Sequence, residues 1–187
     1  MKVLIIISHP RTNSLTFSIA KHFQEGLLEK GHKVTVLDLY REEFDPVLKE
    51  RDEPGWGNTV KTMATHIVEN ERKRLNRFDA YVFIFPIWWY GLPAILKGYI
   101  DRVFFFPAPS KIRADKVLWL GLAGDTEQEF TSSGHDNALK HQLINGISKK
   151  TGIMKPEVRF FFDTKNEDKK FDYEKTMDKA YKLGLSF

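Results

Sequence analysis

The chain contains no cysteine. That excludes disulfides, thiolate catalysis and iron–sulfur clusters, and it suits a cytoplasmic setting. No run of about 20 apolar residues occurs, so no membrane span is expected. The opening apolar run, Val3–Ile7, is too short for a secretory leader, because Ser8-His9-Pro10-Arg11 follows where such a leader stays apolar. Blocks of like charge are missing as well. The 29 Lys and Arg are interleaved with 25 Asp and Glu, for a net charge of +4. Without an arginine-rich arm or a nucleic-acid motif, this surplus does not point to DNA or RNA. A basic site that attracts phosphorylated ligands accounts for it equally well. Neither the G-x-G-x-x-G fingerprint nor a Walker loop is present. His22, His32, His66 and His141 show no close metal-ligand spacing, so no metal site is expected.

What is present is an alternation. The 187 residues, 42% of them hydrophobic, suit one domain over residues 1–187. Apolar β-branched runs predict strands at Val3–Ile7, Val34–Leu37, Ala80–Phe85, Lys116–Leu122 and Val158–Phe162. A helix capped by Asn13 or Ser14 carries Ile19, Phe23, Leu27 and Leu28 at helical spacing and stops at Gly31. Further helices are expected over Val60–Asn76, Pro93–Phe104, Asp136–Lys150 and Tyr173–Leu183. Arg41–Thr59, punctuated by Pro46, Pro54, Gly55 and Gly57, reads as a long excursion loop. Five strands alternating with helices imply an α/β fold, a parallel sheet covered on both faces. Ligands of such sheets sit beyond the carboxyl ends of the strands. The informative residues therefore follow strands one, three and four.

After strand one comes Ser8-His9-Pro10-Arg11-Thr12-Asn13-Ser14-Leu15-Thr16. Hydroxyls, an arginine and a histidine lead into a helix N-terminus, whose free N–H groups favour phosphate. The plainer alternative is a polar turn with Asn13 or Ser14 as cap. After strand three comes Phe85-Pro86-Ile87-Trp88-Trp89-Tyr90-Gly91-Leu92-Pro93. Three consecutive loop aromatics cannot all point inward, so they predict an aromatic-walled pocket for a flat π-system.

Residues Ile84–Phe104 resemble the signature of the flavodoxin-like NAD(P)H:quinone oxidoreductases, F-P-x-x-W-[WF]-x-x-P-A-x-L-K-G-W-x-D-R-V-F, with Tyr99 where the family usually has tryptophan. Leu4–Pro10 is similar to the family's first strand and histidine-containing flavin loop. The resemblance implies a flavodoxin-like three-layer sandwich, its five-stranded parallel sheet in the order 2-1-3-4-5. It implies tightly bound FAD or FMN, NADH or NADPH as co-substrate, and a small acceptor such as a quinone, azo or nitro compound. Carried over residue by residue, His9, Ser14, Leu15 and Thr16 hold the phosphate-bearing tail. Pro86, Ile87, Trp88, Trp89 and Tyr90 border the isoalloxazine ring. Gly121, Leu122, Ala123 and Gly124 supply backbone contacts where the family often reads T-T-G-G. In the best-known branch a tyrosine and a histidine assist hydride transfer. His135 falls at the histidine position, and Glu129 or Phe130 where the tyrosine would be. His135 can also be read as part of a helix cap.

Family members are usually homodimers, which suits the aromatics near Trp88 and the run Phe104-Phe105-Phe106. That run and Phe160-Phe161-Phe162 read as core or subunit contact. Two other functions share the fold: a flavodoxin-type electron carrier and an accessory subunit of a membrane transport protein. The net charge counts against the first, since such carriers are usually acidic. No residue identifies a partner for the second.

Overall fold

In the computed structural model, residues 1–52, 66–104, 112–165 and 171–187 are described. Strands β1 (Lys2–Ile7), β2 (Lys33–Asp38), β3 (Ala80–Pro86), β4 (Lys116–Leu122) and β5 (Lys155–Phe161) form one parallel sheet in the order β2-β1-β3-β4-β5. In its register Ile7 lies opposite Asp38 and Ile84, and Ile84 lies opposite Leu120. Successive side chains of the central strands go to opposite cores. Leu4, Ile6, Tyr81, Phe83 and Trp119 belong to one, and Val3, Ile5, Val82, Ile84 and Leu120 to the other. Burial on both faces is why these strands read as unbroken apolar runs.

Helices α1 (Leu15–Glu29) and α6 (Tyr173–Ser186) cover the second face through Ile19, Phe23, Leu27, Met177 and Ala180. The first face is covered by α2 (His66–Leu75), α3 (Ala94–Tyr99), α4 (Glu127–Ser132) and α5 (His135–His141). Two of these widen as they continue, α3 into a π-turn over Ile100–Phe104 and α5 into one over Gln142–Ser148. Phe83 stacks on Trp119 at 4.1 Å beneath them, and the Trp119 indole N–H donates to Ser148 Oγ at 3.0 Å.

The structure departs from the sequence pattern at three places. Helix α4 lies in a stretch expected to be loop, because six residues with one buried apolar side chain, Phe130, carry no periodicity. β5 begins at Lys155 and not Val158, and it tolerates Pro156 because it is an edge strand. The expected helix Asp136–Lys150 starts at His135 and ends in a 3₁₀ turn over Lys149–Thr151. The first turns of the expected helix from Val60, the end of the Arg41–Thr59 excursion, and Phe105 and Phe106 lie outside the described residues.

The described part of that excursion is latched onto α3 and its π-turn. Arg102 Nε and Nη2 donate to Asp52 Oδ2 at 3.1 and 2.7 Å, with both residues buried. Arg102 Nη1 donates to the Asp45 carbonyl, and the guanidinium lies 5.3 Å from the centre of the Phe44 ring. Gly98 admits Pro46, whose carbonyl oxygen would sit 2.2 Å from an added Cβ. Removing one member of a buried pair strands the other charge. Arg102→Ala is expected to cost about 3–5 kcal/mol in urea denaturation. Arg102→Lys should recover only part of this, since a lysine cannot donate in the same planar fork.

Candidate functional site

Because the strands are parallel, the turns after β1, β3 and β4 share one edge of the sheet. Ser8 N–H, just beyond β1, donates to the Ile84 carbonyl at 3.2 Å. His9 Nδ1 accepts from Arg11 N–H at 3.1 Å. Burial pushes the His9 imidazole below its usual pKa, and the Arg11 and Arg41 charges add to the effect. Arg41, from the turn after β2, donates to the Pro10 carbonyl. Ser14 is the cap of α1, its Oγ accepting from Phe17 N–H at 3.4 Å. The N–H groups of Leu15 and Thr16 on that first turn have no intrahelical acceptor. Free N–H groups at a helix N-terminus favour anions; Arg11 and Arg41 stand near, Arg41 also paired with Asp38 at 3.8 Å.

The turn after β3 is a tight one. Trp88 N–H donates to the Gly91 carbonyl at 3.2 Å and Gly91 N–H to the Trp88 carbonyl at 3.0 Å. The two residues between, Trp89 and Tyr90, have φ of 49° and 55°. Both are left-handed, as in a type I′ turn, a place that normally takes Asn and Gly. Bulky side chains there cost on the order of 1–3 kcal/mol each. Internal packing does not repay this at Trp89, which is 98% exposed. Tyr90 stacks on His135, ring centroids 3.5 Å apart and planes 15° apart, and Phe130 lies 6.0 and 5.9 Å from the two rings. The Asp125 carboxylate beside the Tyr90 hydroxyl raises the pKa of that hydroxyl.

The turn after β4 faces this one. Ile87 N–H donates to the Leu122 carbonyl at 2.8 Å and ties the two together. Between them lies a cleft of about 330 Å³. One wall is Ile87, Trp88, Trp89 and Tyr90; the other is Ala123, Gly124 and Asp125, with Phe130 and Lys165 beside them. His9 links this cleft to the start of α1, its ring 6.2 Å from that of Trp88.

The residues expected from sequence divide accordingly. Ile87, Trp88, Trp89, Tyr90, Ala123 and Gly124 line the cleft. Ser14, Leu15 and Thr16 start α1, and His9 lies in the turn before it. Pro86 closes β3, Leu122 is buried in the second core, and Gly121 is packed under Ile87, so these three support the wall without lining it. His135 meets the cleft through Tyr90. Glu129 is engaged elsewhere: its Oε2 accepts from Thr126 N–H and Oγ1 at 3.0 and 2.7 Å, closing the capping box of α4. Those two bonds hold its carboxyl below the usual pKa. Sequence reasoning misses Ser8, Arg41, Asp125 and Lys165. Ser8 Oγ is buried without a hydrogen-bond partner among the described residues. Asp125 follows directly on a strand-end loop and was legible by position. Lys165 leaves β5 in a charged stretch, where no local pattern marks it.

The chain resembles known proteins along most of its length. A profile of the Flavodoxin_2 family, described as flavodoxin-like fold, matches residues 1–183. A protein of Escherichia coli (strain K12) named "Uncharacterized NAD(P)H oxidoreductase YcaK" is 35% identical over 167 residues, 87% of this chain and 84% of that one. The mouse protein named "Ribosyldihydronicotinamide dehydrogenase [quinone]" is 29% identical over 90% of this chain and 85% of its own. A solved NAD(P)H:quinone oxidoreductase from Methanothermobacter marburgensis superposes with a TM-score of 0.86 at 28% identity, covering 100% of this chain and 95% of that one.

The strained turn makes a prediction that does not depend on any ligand. Trp89→Asn, which suits left-handed backbone, should stabilise the ligand-free protein by about 1 kcal/mol. A urea midpoint equal to or below that of the wild type would show that the turn stores no strain.

Proposed function

The chain belongs to the Flavodoxin_2 family, and from that premise we propose that it is a flavin-dependent NAD(P)H oxidoreductase delivering two electrons to a quinone or similar small acceptor. One observation carries the reading. A strained, exposed aromatic turn faces the Ala123–Asp125 loop across a cleft, and His9, its ring 6.2 Å from that of Trp88, stands between this cleft and the start of α1. A volume of about 330 Å³ lies in the range of small-ligand pockets. The flat part of a flavin suits the cleft, and its phosphate suits the turn at α1. The names of the relatives favour the same activity.

In this reading His9, Ser14, Leu15 and Thr16 hold the phosphate-bearing tail, with Arg11 and Arg41 supplying charge. Ile87 to Tyr90 border the ring, and Ala123 and Gly124 meet it through backbone. Pro86, Gly121 and Leu122 keep both walls in place. FAD and FMN share the ring and first phosphate that these residues meet. The bound flavin supplies the hydride chemistry; the protein orients it and keeps competing reactions out. His135, stacked on Tyr90, is the histidine placed to stabilise charge beside the ring. Glu129 serves the start of α4, which carries Phe130 beneath the Tyr90–His135 pair. Trp88 and Trp89 are free to meet a second copy of the chain, which fits a homodimer of the cytoplasm. The acceptor, a quinone, azo or nitro compound, takes the place that NADH or NADPH vacates.

Purified protein should therefore be yellow and should bleach when NADPH or NADH is added without air. Using one place twice requires ping-pong kinetics, so double-reciprocal plots should be parallel; intersecting lines would exclude the shared site. Trp89→Asn should weaken flavin binding at least about tenfold, a loss of about 1.4 kcal/mol. A protein that takes up neither FAD nor FMN would end this reading.

A further inference from the structure

Lys165 is the one cation among the described residues that line the cleft, and its placement is built from both sides. The loop carrying it is pinned to the β4 turn. Thr164 N–H and Oγ1 donate to the Ala123 carbonyl at 3.1 and 2.8 Å, and Asp163 N–H donates to the Asp125 carbonyl at 2.9 Å. The stem of Lys165 then crosses Gly124 in the space a side chain would fill. An added Cβ there would sit 2.5 Å from its Cε, 2.7 Å from Cγ and 2.8 Å from Cδ. The ammonium ends 3.7 Å from Asp125 Oδ1, with the lysine side chain 59% exposed. An ion pair that long and that wet contributes little. Asp125 also lies close enough to Tyr90 to raise the pKa of its hydroxyl. The lysine is held at the cleft wall and remains free to exchange its counter-charge.

We propose, resting on the flavin reading above, that Lys165 is the counter-cation of the ring bound in this cleft and sets its reduction potential. Hydride transfer from NAD(P)H brings two electrons and one proton to the ring and leaves NAD(P)⁺. The ring system gains one negative charge unless a second proton follows. A cation at the wall favours that charged form, and it does so more strongly between aromatic walls than in water. It therefore raises the potential and makes the flavin easier to reduce.

The test is the midpoint potential of the flavin in the purified holoprotein, measured by equilibration with a reference dye. Lys165→Met and Lys165→Gln should both lower it. The ratio of reduced to oxidised flavin at a fixed poise should fall at least about tenfold, which for a two-electron couple is about 30 mV. Lys165→Arg should restore the potential. Gly124→Ala, whose methyl evicts the lysine stem, should lower it in the wild-type background and change nothing further in Lys165→Met. A wild-type potential in a Lys165→Met protein that still holds flavin overturns the inference and leaves the flavin reading intact. Failure of arginine to restore it, or an equal effect of Gly124→Ala in both backgrounds, also overturns it. A wild-type protein that binds no flavin overturns both.

Discussion

All five strands run the same way, so all five end on the same edge. That constraint brings Ser8, Ile87, Ala123 and Thr164, which are far apart in sequence, into one connected strip. The strip is then tied by backbone: Ser8 to Ile84, Ile87 to Leu122, Ala123 to Phe161, Thr164 to Ala123. Each bond extends the ladder of a sheet already buried on both faces, so the site inherits the rigidity of the core. The side chains that do chemistry stand on backbone that cannot drift. The distant latch of Arg102 on Asp52 serves the same end, because α3 begins directly after the aromatic turn.

Against that rigid frame the turn at Trp89 and Tyr90 is the exception. Elsewhere among the described residues, left-handed backbone outside glycine occurs only singly, at Glu43 and Asp163. Two bulky aromatics in left-handed backbone break the rule that such turns take Asn or Gly. Folds break local rules at functional sites and make up the loss elsewhere. Here the compensation is visible for Tyr90, which gains His135, Phe130 and Asp125. None is visible for Trp89 within its own chain. The asymmetry assigns the two residues different tasks. Tyr90 is part of the wall, and Trp89, on the reading proposed above, is the residue that meets the ligand.

The sheet and the site differ in how far they can be read from residues alone. Two-sided burial writes itself into sequence as Val3–Ile7 and Ala80–Phe85, so the strands were legible from residues, while their order came with the family resemblance. The aromatic wall was legible because Trp88-Trp89-Tyr90 sits between prolines, where no core explanation serves. α4 was not, since its signal is a Thr126–Glu129 box and one phenylalanine. The same box explains why Glu129, which stands near the position of a family tyrosine, has its carboxylate engaged at a helix start. Lys165 and Arg41 reach the site across the fold, from β5 and β2. Nothing within ten residues of either marks such a reach. It exists only once the strands are ordered.

Charge is handled differently at the two ends of the site. At α1 the positive groups are a helix N-terminus, Arg11 and Arg41, the last paired with Asp38 at 3.8 Å, and burial and those arginines push His9 toward its neutral form. Nothing there needs to change as a reaction proceeds, which suits a phosphate whose charge is constant. At the cleft the lysine is balanced by Asp125, and the pair is long and wet enough to open. A balanced pair that opens cheaply suits a ring whose charge alternates with each turnover. It does not hold the uncharged state too loosely or the charged state too tightly. On the flavin reading proposed above, the fixed charge of the phosphate would lie at the α1 end and the variable charge of the ring at the cleft.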